Sequence, residues 1–272
     1  MKRLIALLLI LPLGSYLRNA PEEPSMGPRI ISTADSDGMR VVENKAFEVG
    51  EVLKYKLHYG LVSAGVAKLK VQGTSSKEGR IAYHIVGTGG SVGMFNLFYK
   101  VDDRYETYID TSALVPLRFI RDVNEGGYEI NRDIRFNHQV DTAFSDGKAY
   151  RVPDNIQDLL SAFYYSRTFD VTGIQIGDEF EITTFLDHEV FPLRLRYLGD
   201  ETVKTKFGEI ECMKFMPIVQ VGRVFEDTDG MWLWVSKDQN HVPVRMQSDL
   251  LIGSIRMDLI DYKGTKTPLV FK

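Results

Sequence analysis

Residues 153–167 repeat their apolar side chains with the period of an α-helix. These residues stand at positions i, i+3, i+4, i+7 and i+8, which form one stripe on a helix: Ile156, Leu159, Leu160, Phe163 and Tyr164. Asp154 and Gln157 have the spacing of a capping box, in which two side chains satisfy backbone N–H groups at the helix start. The pattern predicts one α-helix over residues 154–167.

Most of the remaining chain alternates apolar and polar residues, which is the period of a half-buried β-strand. The clearest run alternates with lysine and histidine at Leu53, Tyr55, Leu57 and Tyr59. Similar runs precede and follow the helix. The pattern predicts a mainly β protein, with two curved antiparallel sheets or a wrapped half-barrel around one central α-helix. Lysines on one face of the short strands argue against lipid-facing strands, so we do not expect an integral membrane barrel.

The first residues have the pattern of a secretory signal. Lys2 and Arg3 precede an apolar run from Leu4 to Leu13, which is too short to span a bilayer comfortably. No cysteine follows this run, so a lipidated amino terminus is not expected. We therefore expect a signal peptide over residues 1–20 and a periplasmic or outer-envelope location.

The rest of the chain divides by composition and pattern. Residues 21–45 are rich in Pro, Gly, Ser and charge, which is typical of a flexible linker. Residues 46–263 form a single β-rich domain, and residues 264–272 form a tail.

Three motifs of this domain recur at a constant spacing of 127 residues. Val49-Gly50-Glu51 matches Ile176-Gly177-Asp178, Pro116 matches Pro243, and Gly126 matches Gly253. Each match is weak alone, but the shared spacing indicates a repeat. We therefore expect two related β halves, residues 46–152 and 174–263, joined by the helix.

Composition narrows the classes of function. The 272 residues are 44% hydrophobic and carry a net charge of −4, with no basic run interleaved with aromatic residues, so nucleic acid is not an expected partner. Cys212 is the only cysteine, so no intrachain disulfide can form. It lies in a strand-like run and is predicted to be a small buried side chain rather than a nucleophile.

Motifs for catalysis are scarce. Asp187-His188-Glu189 is the densest group of reactive side chains, and its position between strands favours a solvated turn. Asp102, Asp103 and Glu106 include enough carboxylates for glycoside chemistry, although sequence proximity does not set their separation across a cleft. Zinc, phosphate-loop and dinucleotide motifs are absent from the sequence. No catalytic residue, metal or cofactor is therefore expected.

Aromatic residues are the stronger indication of function. Curved β surfaces that bind apolar ligands are often lined by aromatic rings with a few hydroxyl groups. Tyr165 stands out because it lies about 180° from the apolar stripe of the helix. The candidate ligand-binding residues are Tyr55, Tyr59, Phe95, Tyr99, Tyr164, Tyr165, Trp232 and Trp234.

Several longer motifs carry a family resemblance. They are Gly50-Glu51-Val52-Leu53-Lys54-Tyr55, Asp103-Arg104-Tyr105, Glu125-Gly126-Gly127-Tyr128, residues 158–167 and Trp234-Val235-Ser236. With these motifs the chain resembles the bacterial secreted proteins grouped as domain of unknown function 3108. The resemblance implies a β-rich envelope protein and transfers no catalytic residue.

Three hypotheses about function remain open. The first is non-enzymatic binding of an apolar or amphipathic envelope molecule, or of a protein partner, in the curved sheet. The second is a hydrolase acting on envelope glycan through carboxylates such as Asp187 and Glu189. The third is a structural factor in envelope assembly. The oligomeric state is left open.

Overall fold

The computed structural model describes residues 27–218, 230–249 and 253–272. The predicted signal peptide and residues 21–26 of the predicted linker lie outside the described residues, as do residues 219–225, for which the sequence pattern also predicts a strand. Within the described residues the chain is mainly β, as predicted. Two short helices and sixteen strands are described.

The helices are α1 (Phe95–Phe98) and α2 (Leu159–Ser166). The strands are β1 (Ile30–Ser32), β2 (Val41–Val42), β3 (Val52–Tyr59), β4 (Val62–Lys77), β5 (Arg80–Ser91), β6 (Val101–Asp110), β7 (Pro116–Glu125), β8 (Tyr128–Asn137), β9 (Thr142–Ser145), β10 (Lys148–Arg151), β11 (Glu179–Leu186), β12 (Glu189–Thr205), β13 (Gly208–Ile218), β14 (Met231–Ser236), β15 (Pro243–Asp249) and β16 (Ser254–Lys263).

Fourteen strands form one antiparallel sheet. Its order runs from β10 down to β3 and then from β16 down to β11, so that β3 and β16 join the two halves of the chain. The edge strands β10 and β11 do not pair with each other, but Tyr150 lies 5.6 Å from the Phe185 ring and stacks on His188 at 4.7 Å. The sheet is therefore a wrapped, unclosed half-barrel.

The predicted alternation accounts for the inner face of this sheet. In β3, Leu53, Tyr55 and Leu57 are buried and Lys54 is exposed. Because successive side chains of a strand point to opposite faces, one face of the sheet can form the core while the other contacts water. Helix α2 lies against the concave inner face and contacts β6 and β11.

The helix is shorter than predicted, and its predicted capping box was wrong. It begins at Leu159 with Asp158 as the N-cap, and Ser161 completes the capping box. Asn155 has a positive φ of 57°, which is incompatible with a right-handed helix. The backbone of Gln157 instead donates to Thr183 O and accepts from Phe185 N, so this residue extends the edge of β11.

Residues 27–45, predicted as part of a flexible linker, contact the rest of the half-barrel through several hydrogen bonds and ion pairs. Strand β1 pairs with β2, and Val42 N donates to Ser112 O over 2.8 Å. Arg80 of β5 donates to the carboxylates of Asp35 and Asp37. These contacts hold the segment against the sheet, which its composition did not indicate.

Candidate functional site

An apolar cavity lies between α2 and the concave face of the sheet. Its volume is about 170 Å³, and a second hollow of about 60 Å³ adjoins it. Both are lined by Phe163 of α2 and by residues of the second half of the sheet. The cavity wall includes Leu69, Leu160, Leu193, Leu195, Leu233, Met246 and Met257. A cavity of this composition offers almost no hydrogen-bonding groups to water.

The first turn of α2 is fixed to the sheet by Asp158. This buried carboxylate accepts hydrogen bonds from Leu160 N and Ser161 N, each over 2.7 Å, and from the Thr107 hydroxyl of β6 over 2.6 Å. Burial raises the pKa of Asp158 to about 6, and the three hydrogen bonds limit that rise. The wall that α2 contributes to the cavity is therefore anchored at its start.

The other end of α2 is fixed by Arg167. Its guanidinium donates to both carboxylate oxygens of Glu51 over 2.7 Å, to Asn240 O over 2.9 Å and to Ala46 O over 3.1 Å. Glu51 and Arg167 are both buried. Since a bidentate pair fixes the geometry of both partners, this contact ties the helix end to the start of β3.

Two tyrosines of the cavity wall have unpaired hydroxyl groups. The hydroxyls of Tyr55 and Tyr105 are buried, and neither has a hydrogen-bond partner among the described residues. Burial raises the pKa of Tyr55, so the hydroxyl keeps its proton. By contrast, the wall hydroxyls of Ser166 and Thr184 donate to the backbone carbonyls of Phe163 and Phe191. The site therefore combines an apolar volume with two tyrosine hydroxyls in its wall that have no hydrogen-bond partner among the described residues.

The structure distributes the eight predicted ligand residues over several places. Tyr55 lines the cavity. Tyr164 is buried beside it and packs edge-on against Phe47 at 4.9 Å. Tyr165, on the opposite side of the helix, is also buried, with Phe169 at 5.0 Å and the Arg40 guanidinium over its ring at 4.7 Å. The helix therefore has a second contact surface at Tyr165.

The other five lie away from the cavity wall. Tyr59 contacts Phe95 at a ring distance of 6.2 Å, at the connection that contains α1. Tyr99 lies against Gly126. Trp232 and Trp234 share a strand face, as predicted, but both lie near the Lys214 ammonium, at 5.8 and 4.9 Å, on the opposite face to the cavity.

The cavity is instead lined by the neighbours of these tryptophans. Met231 and Leu233 alternate with Trp232 and Trp234 in β14 and face inward. Both pairs of β14 side chains are apolar. The sequence pattern therefore predicted that they point to opposite faces of the sheet, but it did not show which pair faces α2. The aliphatic wall residues were missed for this reason.

The predicted carboxylate groups do not converge. Asp187 pairs with Arg121 over 2.9 Å at an exposed turn, and Asp102 is exposed. Glu106 pairs with His84 over 2.6 Å. Asp103 is buried and accepts from Asn124 N, and burial raises its pKa to about 6. Among the described residues, no group of three or more His, Cys, Asp or Glu side chains could hold a metal ion.

Cys212 is buried in β13. Burial raises the pKa of its thiol to about 12. Because the thiolate is the nucleophilic form, this side chain is a packing residue at neutral pH, as predicted. In the part of the chain that the structure covers, no helix combines the length and the apolar character needed to cross a bilayer.

Several solved structures are similar to the chain at low identity. A β-barrel-like protein of the domain of unknown function DUF1849 from Brucella abortus is 10% identical, with a TM-score of 0.46 over 80% of this chain and 98% of that one. A lipoprotein candidate from Parabacteroides distasonis is 13% identical, with a TM-score of 0.36 over 80% and 97%. A candidate exported protein with a YmcC-like fold from Bacteroides fragilis is 12% identical, with a TM-score of 0.31 over 80% and 97%.

No curated protein matches the sequence. A family model does match, and it covers residues 54–260, which include most of the sheet, both helices and the whole cavity wall. The family is described as a protein of unknown function, DUF3108. Because the match extends over most of the sequence, the chain belongs to the DUF3108 family.

Proposed function

We propose that the protein binds an apolar or amphipathic molecule of the cell envelope in the cavity beside α2. The observation that supports this proposal is the cavity of about 170 Å³ with an almost entirely aliphatic and aromatic wall. Apolar cavities of roughly 150 Å³ remain dry and accept small apolar molecules. An empty volume of this size costs stability, and an apolar ligand restores the lost contacts.

The wall favours an elongated, flexible ligand. Met231, Met246 and Met257 contribute unbranched side chains that adapt to different shapes. The adjoining hollow of about 60 Å³ continues the apolar surface past Phe163 and gives a chain-like molecule a second segment to occupy. The free Tyr55 hydroxyl provides one hydrogen bond to an ester or carboxyl oxygen.

We propose an exported location on the basis of the signal pattern in residues 1–20. An envelope location places the protein among acyl chains and their carriers. The anchoring of α2 at Asp158 and Arg167 supports a preformed site, since both ends of the helix are held whether or not a ligand is present.

A fluorescent fatty-acid analogue tests the proposal. 6-(Nitrobenzoxadiazolyl-amino)hexanoic acid, whose short chain suits a cavity of this size, is expected to bind saturably, with increased emission as the nitrobenzoxadiazole group leaves water. Leu233→Trp fills the cavity and is expected to weaken this binding at least about tenfold, the loss produced by one poorly accommodated apolar contact of roughly 1.4 kcal/mol.

Val66→Trp is the matched control because Val66 is 44% exposed and does not line the cavity. It introduces the same side chain and is expected to leave probe affinity unchanged. Thermal melting should show that both variants fold. Equal affinity in the two variants, or no saturable binding to the wild type, would contradict the proposal.

A further inference from the structure

A cluster of exposed apolar side chains lies at one end of the half-barrel, outside the cavity. Leu61 is fully exposed, Leu97 is 81% exposed and Phe98 is 83% exposed. Val62 and Met94 are also exposed. We call these five residues the apolar rim. Isolated exposed apolar residues are ordinary, but a cluster on adjacent connections indicates an interaction surface.

The sheet topology brings the two parts of the rim together. The β3–β4 turn and the β5–β6 connection lie at the same end because the strands are antiparallel neighbours. The Tyr59 ring contacts Phe95 at 6.2 Å, and Val92 N donates to Ala64 O over 3.0 Å. Helix α1 itself buries none of its residues, so its apolar side chains have no partner in the core.

The charge of the neighbouring strands identifies the kind of partner. Residues 52–101 contain seven Lys or Arg residues and one acidic residue, Glu78, although the whole chain has a net charge of −4 and exposed Asp102 follows directly. The two lysines closest to the rim are exposed Lys100, which is the last residue of the β5–β6 connection, and Lys56, on the outer face of β3 three residues before the end of that strand. Neither forms an ion pair with a described residue.

We infer that the apolar rim is a docking surface for a bilayer that contains anionic lipids. Apolar side chains at a protruding end insert at the boundary between headgroups and acyl chains, while nearby lysines interact with anionic headgroups. This inference goes beyond ligand binding in the cavity, and it does not depend on that function.

Site-specific labelling of the full chain tests which end approaches the membrane. Because the native Cys212 is buried, an environment-sensitive nitrobenzoxadiazole label reacts with an introduced exposed cysteine and not with Cys212. Leu97→Cys places the label on the rim, and Val140→Cys places it at the opposite end of the sheet, where Val140 is 60% exposed. Both proteins retain residues 1–13, so any membrane affinity of that segment is the same in each.

With vesicles of phosphatidylethanolamine and phosphatidylglycerol, the label at residue 97 is expected to shift its emission to the blue, and the label at residue 140 is not. Vesicles of phosphatidylcholine alone should give a weaker shift at residue 97. No shift at residue 97, or an equal shift at both sites, would overturn the inference and direct the search to a protein partner.

Two sets of substitutions separate the apolar and electrostatic contributions. Lys56→Gln and Lys100→Gln are each expected to weaken binding to anionic vesicles up to about fivefold, and added salt should reduce the difference. Combining Leu61→Ser, Leu97→Ser and Phe98→Ser should weaken it at least about tenfold. Probe binding in the cavity should remain unchanged in all of these variants, which separates this inference from the proposed function. Unchanged vesicle affinity in both sets would refute it.

Discussion

The guanidinium of Arg167 is buried, and the carboxylate of Glu51 balances its positive charge. It makes four hydrogen bonds, two of them to Glu51, in the interior of the half-barrel. Desolvation alone would lower the pKa of the guanidinium, but the neighbouring carboxylate raises it overall. A buried ion pair contributes little over an apolar pair of the same shape, whereas loss of one partner leaves the other charge unpaired.

We therefore predict that Arg167→Met lowers the free energy of unfolding by about 3–5 kcal/mol, because Glu51 is left buried without its counter-charge. Arg118→Met is the control, since Arg118 and Asp133 form a more exposed pair. The control should change stability by at most about 1 kcal/mol. Urea titration measures both, and similar losses in the two variants would contradict the assigned role.

Asp158 gives stability a distinct dependence on pH. Its pKa rises from an ordinary value of 3.8 to about 6 on folding, so the folded protein binds this proton more tightly than the unfolded chain. The stabilisation that comes from this tighter proton binding is fully present below pH ~4 and is lost as the pH rises through ~6. Within that window the free energy of unfolding falls by about 1.4 kcal/mol per pH unit. Asp103 contributes in the same direction, with a pKa of about 6.

Asp158→Asn should therefore reduce the fall in stability between pH 4 and 6 without removing the cap, because Asn is as good an N-cap residue as Asp. Urea titrations at several pH values measure the slope. An unchanged slope in this variant would show that Asp158 is ionised in the folded protein throughout that range.

At the scale of elements, α2 shows both the strength and the limit of the sequence pattern. Leu160 is buried, as the apolar stripe predicts, but Leu159 and Phe163 are half-buried because they face the cavity. The N-cap is Asp158 rather than Asp154 because Thr107, distant in sequence, donates a hydrogen bond to the Asp158 carboxylate. Long-range partners of this kind are not visible in local spacing.

Leu160→Ala should lower the free energy of unfolding by about 2–5 kcal/mol, since it removes buried methyl groups next to Gly87 and enlarges the cavity. Leu97→Ala in α1 removes the same atoms from an exposed position and should change stability by at most about 0.5 kcal/mol. A loss below ~1 kcal/mol for Leu160→Ala in denaturant titration would refute its role in the core.

At the scale of the whole molecule, the strand pattern predicted either two curved antiparallel sheets or a wrapped half-barrel around a helix, and the half-barrel is observed. The alternation left both open, because in either architecture each strand offers one apolar face to a common core. The cavity was not predictable, since it depends on how closely α2 approaches the sheet. The anchors at Asp158 and Glu51 set that distance, and they come from opposite parts of the chain.

We propose that the two halves of the sheet arose by duplication. The shift of 127 residues takes β3 (Val52–Tyr59) onto the bounds of β11, and the starts of β7 and β15 are Pro116 and Pro243. The inward faces of β4 and β12 then differ by one residue, because Leu69 lines the cavity whereas Arg196 pairs with Glu179 on the surface and its neighbour Leu195 lines the cavity. The irregular pairing of β4 with β3, which skips Ala64, gives β4 this additional residue.

Superposition of β3–β8 on β11–β16 tests the duplication. Each strand is expected to fall on its counterpart in the same order, with a one-residue offset between β4 and β12 that begins at Ala64. A change of strand order, or a different offset for every strand, would contradict common ancestry.

The most direct test of the ligand-binding proposal is native mass spectrometry of the protein purified from its own host. The expected result is the chain carrying a removable, non-covalent mass that solvent extraction identifies as apolar or amphipathic, and that is depleted in Leu233→Trp. Protein without any bound mass, together with no saturable binding of the fatty-acid probe, would contradict the proposal.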